Sequence, residues 1–566
     1  MLFRKREIEI QRRRKTMPIT NMNRRKALTM LGLTGAAGAI APNLLVSPAW
    51  AARPDTPTGQ IVVGVSQEPT VFNPLMPRIE VDDGVQLSVF DGLVRISPDG
   101  EFIPALAAEV PTIENGGLSE DGLTWHFKLR DDVTWHDGEP FTAEDVKFTL
   151  ELIMDPNFRS WRTTGHELVR DIEVVSPTEI KWRMEEPFAP YMSILVETMM
   201  VPKHILGHLE DRNEAPFNQA PIGTGAFKWG SRKAGDHVEL VANPDYFGEG
   251  PFVERLIFKY IPDLTVLYTQ FKSGDIDIIS NQYITPDNYA EAKTLAGKEV
   301  SVVPAPTVES VFLNNEKPQF QDSAVRQAIY AAIDKQTIID ALYYGLPTPS
   351  ESYLPQQSYY YNPDLPRHEY SPETANKLLD EAGWERGADG IRAKDGVRLS
   401  FSNSTTSGNH LREQAQQFIQ QSLGEVGIEM TIENKPPAVM WGEYWTQSQF
   451  DSVIVGIVFT TGADADVTVR FASDAIPAQG GRGSNTGQYQ NPEVDKLLEE
   501  AGRIFDQAKR KELYGQVQEI IREDLPLLPL FQYATVRGHK EGLKGIEANI
   551  NTRIDTWNAA QYYWDQ

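Results

Sequence analysis

The chain has 566 residues, more than one compact domain holds, and its length points to about three or four domains. It contains no cysteine, which excludes a disulfide scaffold, a thiolate zinc site, a thiol nucleophile and a lipid-anchored cysteine. Net charge is −25, and because the first 51 residues are strongly basic, the rest is more acidic still. Such a body opposes nucleic acid, whose phosphates need Lys and Arg, and equally opposes an anionic membrane surface.

Taken from the N-terminus, Asn23-Arg24-Arg25-Lys26 leads into an uncharged stretch, Ala27–Val46. It ends in Ser47-Pro48-Ala49-Trp50-Ala51, where small residues at 49 and 51 fit cleavage after Ala51. A basic start, a short apolar run and a small-residue exit make residues 1–51 an export signal, removed on the way to the periplasm. The paired arginines resemble a twin-arginine signal, with Sec export as the alternative because Ala27 and Thr29 depart from that pattern. Glycines, Pro42 and Asn43 break the apolar run, so it is a poor membrane anchor. The extra basic stretch before Met22 is more than a signal needs, so Met17 or Met22 is the expected start of translation, with Met1 as the alternative.

Beyond Ala52, strand and helix signals alternate as in α/β domains. Residues 61–65, Ile-Val-Val-Gly-Val, read as a buried strand. Thr142 caps a helix whose first turn holds Glu144 and Asp145, with Val146, Leu150 and Ile153 on one face. Asp322 opens a helix carrying Val325, Ile329 and Ile333, and Ser371-Pro372-Glu373 opens another that stops at Gly383. Leu411, Ala415, Phe418 and Ile419 form a helical face leading into an alternating strand at 427–432. Asn491-Pro492 starts a helix bearing Val494, Leu497, Leu498 and Ala501.

Motifs for chemistry do not occur: there is no GxxxxGK[ST] loop, GxSxG elbow or HExxH helix. His204 and His208, four apart, are the one pair at metal-binding spacing, and a single pair is read as structural. The expectation is a protein that is not an enzyme and uses neither cofactor nor metal.

Seven segments in order carry a resemblance. They are 119–130 (SEDGLTWHFKLR) with 133–138 (VTWHDG) and 141–146 (FTAEDV); 221–227 (PIGTGAF); 243–247 (NPDYF); 271–277 (FKSGDID); 325–329 (VRQAI); 333–335 (IDK); and 489–498 (YQNPEVDKLL). The chain thereby resembles the family 5 extracellular solute-binding proteins of bacterial ABC transporters, the dipeptide/oligopeptide/nickel-binding group. By themselves these are scaffold motifs. Asp-Gly at 121–122 and 137–138 are hairpin turns, and Gly223 and Gly225 are read as permitting angles that other residues resist.

The resemblance implies an α/β, two-lobed periplasmic binding protein fold of type II with an extra inserted domain and a ligand cleft between the lobes. Residues 52–96, 218–315 and 535–566 would form lobe I, 97–217 the inserted domain II, and 316–534 lobe III. The implied role is capture of a peptide-sized solute, most simply a peptide, and delivery to an inner-membrane ABC permease, as a monomer. The alternatives are the same role for an oligosaccharide or opine-like sugar–amino-acid conjugate and, from another class, a periplasmic hydrolase using acidic residues.

Peptide binders of this group carry Gly-Trp followed by acidic residues, one of which pairs with the peptide amine. Here the stretch is Gly456-Ile457-Val458-Phe459-Thr460-Thr461-Gly462-Ala463-Asp464-Ala465-Asp466, which lacks the tryptophan. Phe459 and Thr460 are therefore candidate contacts, and Asp464 or Asp466 the candidate amine anchor. If neither carboxylate reaches the cleft, a neutral solute is expected. Trp441 and Trp445, beside Tyr444, are candidate aromatic surfaces for side chains or sugar rings. Phe72 and Asn73 fall in the family's first cleft loop, and Arg482 and Asn485 lie in a glycine-rich loop.

Overall fold

The computed structural model describes residues 53–280, 283–458, 464–552 and 554–565. The expected export signal lies outside the described residues, as do Phe459 and Thr460. Among the described residues, no helix is long and apolar enough to cross a membrane.

One large sheet organises the molecule. Besides the short Thr348–Pro349, which pairs with the last of them, its strands are β1 (Gln60–Val65), β2 (Phe227–Lys233), β3 (His237–Ala242), β4 (Arg255–Tyr260), β5 (Ile278–Ile279), β6 (Lys298–Leu313), β7 (Ser400–Ser404), β8 (Glu429–Ile432), β9 (Ser452–Val458) and β10 (Leu527–Lys540). The spatial order is β8-β7-β9-β6-β10-β5-β1-β4-β3-β2. Lobe I holds β2 to β5 with β1, and lobe III holds β7 to β9. The two long strands β6 and β10 pair antiparallel and run through both lobes.

Their ladder is regular from Lys298↔Lys540 to Pro304↔Ala534, breaks, and resumes at Val308↔Gln532. The chain thus crosses between lobes at Ala305–Thr307 and at Tyr533. Beyond the break, Val311 and Leu313 share a core with Ile339, Phe401 and Ile454. A register break leaves residues outside the ladder and bends the strand, which suits a joint between two bodies.

Local signals give the expected helices. Asp322, Ser371 and Asn491 each accept a first-turn N–H, capping helices Ser323–Ala331, Pro372–Glu381 and Pro492–Arg503. Thr142 and Asp145 form a capping box on Ala143–Ile153. In β9, Val453 and Val455 pack on one side of the sheet and Ile454 on the other, which is why that strand is a continuous apolar run. Trp125, Phe127, Trp135 and Trp182 fill a separate core in the inserted domain.

Gly122 and Gly138 have positive φ, as their turns require. Gly223 and Gly225 correct the sequence reading. Neither has a positive φ. They are glycines because a Cβ at 225 would lie 2.6 Å from the Ser88 carbonyl, and one at 223 would collide with that of Val89. This close approach holds the loop before β2 against the Ser88–Val89 backbone, and His136 of the inserted domain docks on that loop.

The same seam carries a pH dependence. His136 accepts the Gly223 N–H at Nδ1 (3.1 Å), and its Nε2 lies 3.0 Å from the Gly225 carbonyl, an arrangement that needs the neutral ring. His166 is buried between the Tyr191 and Thr198 hydroxyls. Burial pushes both imidazoles down to about 4 from 6.5. Between those values the unfolded chain binds the extra protons, so stability falls as pH drops from 6.5 towards 4. The expected slope is about 1.4 kcal/mol per pH unit for each histidine, read from urea midpoints at pH 7 and pH 5. A His166→Gln variant with an unchanged pH profile would contradict it.

Candidate functional site

Strand directions locate the site. β5 is antiparallel to β10, and β1 and β4 run parallel to β5, so their carboxyl ends point towards lobe III. β9 is antiparallel to β6, and β7 is parallel to β9 and β8, so their carboxyl ends point towards lobe I. The loops after Val65 and Ile279 therefore face the loops after Ser404, Ile432 and Val458 across the crossover. Ligands of α/β sheets bind outside the carboxyl ends of strands, and here two such edges oppose each other.

A polar network sits in this wall. Glu309 on β6 is fully buried and receives Arg412 Nε at 2.6 Å and Nη2 at 2.9 Å, a two-pronged pair. Tyr533, at the second crossing, donates its hydroxyl to Glu309 at 3.0 Å. Gly456 makes room: a Cβ there would lie 2.8 Å from Glu309 Oε2 and 3.0 Å from Arg412 Nη2. Sequence reasoning missed this group. Its one signal is an acid inside the apolar run Val308–Leu313, and Arg412 and Tyr533 lie 103 and 224 residues away.

Of the expected site residues, the aromatic ones separate. Trp441, after β8, is 45% exposed and meets Trp445 edge-on at 5.7 Å. Val439 and Val458 are exposed on the same carboxyl-end rim. Trp445 itself is buried, stacked on Phe450 and edge-on to Phe312, so it supports Trp441 from the core. Tyr444 bonds the Ser404 hydroxyl at 2.7 Å.

Of the others, Phe72, Asn73 and Asn485 are taken up by the protein. Phe72 is buried against Trp229 in the lobe I core, with ring centroids 4.6 Å apart. Asn73 donates to Asn218 (2.9 Å) and accepts from the Leu75 N–H (3.0 Å), which shapes its loop. Asn485 ties Ala472 and Tyr489 together through its buried amide. Arg482 is exposed in its loop.

Asp464 is 3% exposed and paired with Arg510, while its other oxygen accepts the Tyr514 hydroxyl at 3.3 Å and the Asp466 N–H at 2.9 Å. Burial pushes its carboxyl above the ordinary aspartate value, with the Arg510 charge pulling the other way. Asp466 accepts from the N–H and hydroxyl of Thr468 at 3.0 and 2.5 Å, opening the short helix Thr468–Phe471. Asp464 is thus spent as the counter-ion of Arg510, and the amine-anchor reading does not carry over to it, whereas Asp466 is half-buried and bonds the neutral Thr468. His204 reaches Asp137 at 2.8 Å, on a four-residue helix that ends before His208. Among the described residues, no group of three or more His, Asp or Glu is placed to hold a metal.

Comparison with known proteins gives the same architecture. The family model described as bacterial extracellular solute-binding proteins, family 5 Middle, matches residues 101–479. The oligopeptide-binding protein AppA of Bacillus subtilis is 28% identical over 523 residues, 89% of this chain and 91% of AppA. The structure of AppA in complex with a nonapeptide superposes with a TM-score of 0.74 at 27% identity, covering 90% of this chain and all of that one. NikZ from Campylobacter jejuni in complex with Ni(L-His) gives 0.75 at 27% identity, covering 89% and 99%. With a sheet shared by two lobes, opposed carboxyl-end loops, and a family match across most of its length, the chain belongs to the family 5 bacterial extracellular solute-binding proteins, which are exported transport proteins and not enzymes.

Proposed function

We propose that this chain is the periplasmic substrate-binding component of an ABC importer, a monomer that captures a peptide-sized solute between its lobes and hands it to an inner-membrane permease. The observation that carries this reading is the pair of opposed carboxyl-end edges meeting at a two-strand crossover. Such a joint lets the lobes close over a solute and remove it from water. Trp441, Val439 and Val458 supply apolar surface on the lobe III rim. The nonapeptide held by AppA makes a peptide the first class to test.

A second solute class has its own support. Glu309 and Asp464 are each paired with an arginine within lobe III, so neither stands free to receive a peptide amine. That favours a solute bound without an amine anchor, such as an oligosaccharide or a sugar–amino-acid conjugate.

A thermal-shift screen on exported protein, refolded to strip any solute that travels with it, separates these. A ligand at about 100 times its dissociation constant adds about 2.7 kcal/mol to stability. Peptides should stabilise the protein equally with free and with acetylated amino termini. Stabilisation by sugars or conjugates alone keeps the transport role and changes the solute. Recovery of a hydrolysed solute by mass spectrometry would defeat the binding-protein reading.

A further inference from the structure

Away from the crossover, the inserted domain touches lobe III at one corner. Phe505 follows helix Pro492–Arg503, whose Val494, Leu498 and Ala501 are buried in lobe III. Its ring nevertheless packs on the inserted domain's core, edge-on to Trp125 with centroids 6.1 Å apart. Gly122, in the turn before Trp125, leaves room for it: a Cβ there would collide with the Phe505 ring. Beside the ring, the Ala189 N–H donates to the Gly502 carbonyl at 2.7 Å. Arg503 lies 3.9 Å from Glu186.

The inserted domain is fixed to lobe I. His136 N–H donates to the Gly223 carbonyl (2.9 Å), Met200 N–H to that of Asp91 (3.0 Å), and Ala105 N–H to that of Leu93 (3.1 Å). Its core is also continuous with Leu93 and Val94. A contact between this domain and lobe III therefore bridges the two halves a second time. The first bridge is covalent, at Ala305–Thr307 and Tyr533. Among the described residues, the second is one partly exposed ring, one backbone hydrogen bond and one loose ion pair. A bridge that small opens readily, which a permanent domain interface would not.

We propose that Phe505 is a latch. It is a positioning residue that sets the fraction of molecules with closed lobes, and so the affinity for solute, from outside the carboxyl-end loops that frame the crevice. This rests on the solute-binding reading. When only the closed form holds solute, apparent affinity scales with the closed fraction, so a remote contact tunes it.

Because the chain has no cysteine, Glu120→Cys in the inserted domain and Lys496→Cys in lobe III give a unique pair of spin-label sites. In solute-free protein, Phe505→Ala should move the inter-label distance distribution to longer values. Phe505→Leu, which keeps apolar bulk, should stay near the parent, and circular dichroism should show all variants folded. Distributions that superimpose for parent and Phe505→Ala overturn the latch, as does a Phe505→Leu shift as large as that of alanine. With a nonapeptide as probe, Phe505→Ala should bind it about tenfold more weakly, the effect of a tenfold smaller closed fraction. If the nonapeptide fails to bind the parent, the peptide reading fails while the distance result still decides the latch.

Discussion

Asp464→Ala is expected to lower folding stability by about 3–5 kcal/mol, because it strands the buried guanidinium of Arg510 without its counter-charge. Arg510 is 4% exposed, and the opposing charge of Asp464 overcomes the burial that would otherwise lower its pKa, holding it above the ordinary arginine value. Asp464→Asn should cost nearly as much, since the amide keeps the shape and loses the charge. The measurement is the urea midpoint, taken beside that of Asp464→Leu/Arg510→Met. Replacing both ions by apolar groups should cost clearly less than either single change, the behaviour of a buried pair. A stable Asp464→Asn protein that had lost only its affinity for amine-bearing peptides would restore Asp464 as an amine anchor.

Glu309→Gln carries the second large effect. It leaves Arg412 charged beside an amide, in a wall where Arg412 keeps 13% of its side chain exposed and Glu309 none. The opposing charge of Glu309 overcomes burial and holds the Arg412 guanidinium above its usual value; with that partner lost only burial remains to oppose the charge, and an arginine is basic enough to stay charged and uncompensated. A loss of about 3 kcal/mol is expected, at the low end for a broken buried pair because one edge of Arg412 meets water. Gly456→Ala tests the same group from the facing strand. Its methyl would press on Glu309 Oε2 and on Thr307 Cγ2, each at 2.8 Å, for an expected cost of about 1–3 kcal/mol. Thermal unfolding of both variants provides the check. A Gly456→Ala protein as stable as the parent would show that the pair has room to shift.

Residues that look alike in sequence differ in three dimensions. Asp464 and Asp466 stand two apart in one acidic stretch, yet one is a buried counter-ion and the other opens a helix. Trp441 and Trp445 stand four apart, and one is half exposed while the other is core. Cap residues were legible because their work is local: Asp322, Ser371 and Asn491 each bond an N–H two or three residues ahead. The glycines at 223 and 225 were legible as special and not in their cause, because the Val89 backbone that crowds them lies far back in the chain.

By itself the sequence determined the α/β alternation, the helix starts, the two Asp-Gly turns and the family. All of these follow from interactions within a few residues or from motifs that repeat a known order. Tertiary structure alone decided which charges remain available to a solute. Arg510 is 46 residues from Asp464 and Arg412 is 103 from Glu309, so only folding shows that these carboxylates are already neutralised. It also decided where the site lies, because a crevice between opposed carboxyl-end edges depends on how two strands thread both lobes. The same holds for the seat of Phe505 over Gly122, where a residue of lobe III completes a packing surface of the inserted domain. Burial and pairing are properties of neighbours in space, and a linear chain names the groups without naming their neighbours.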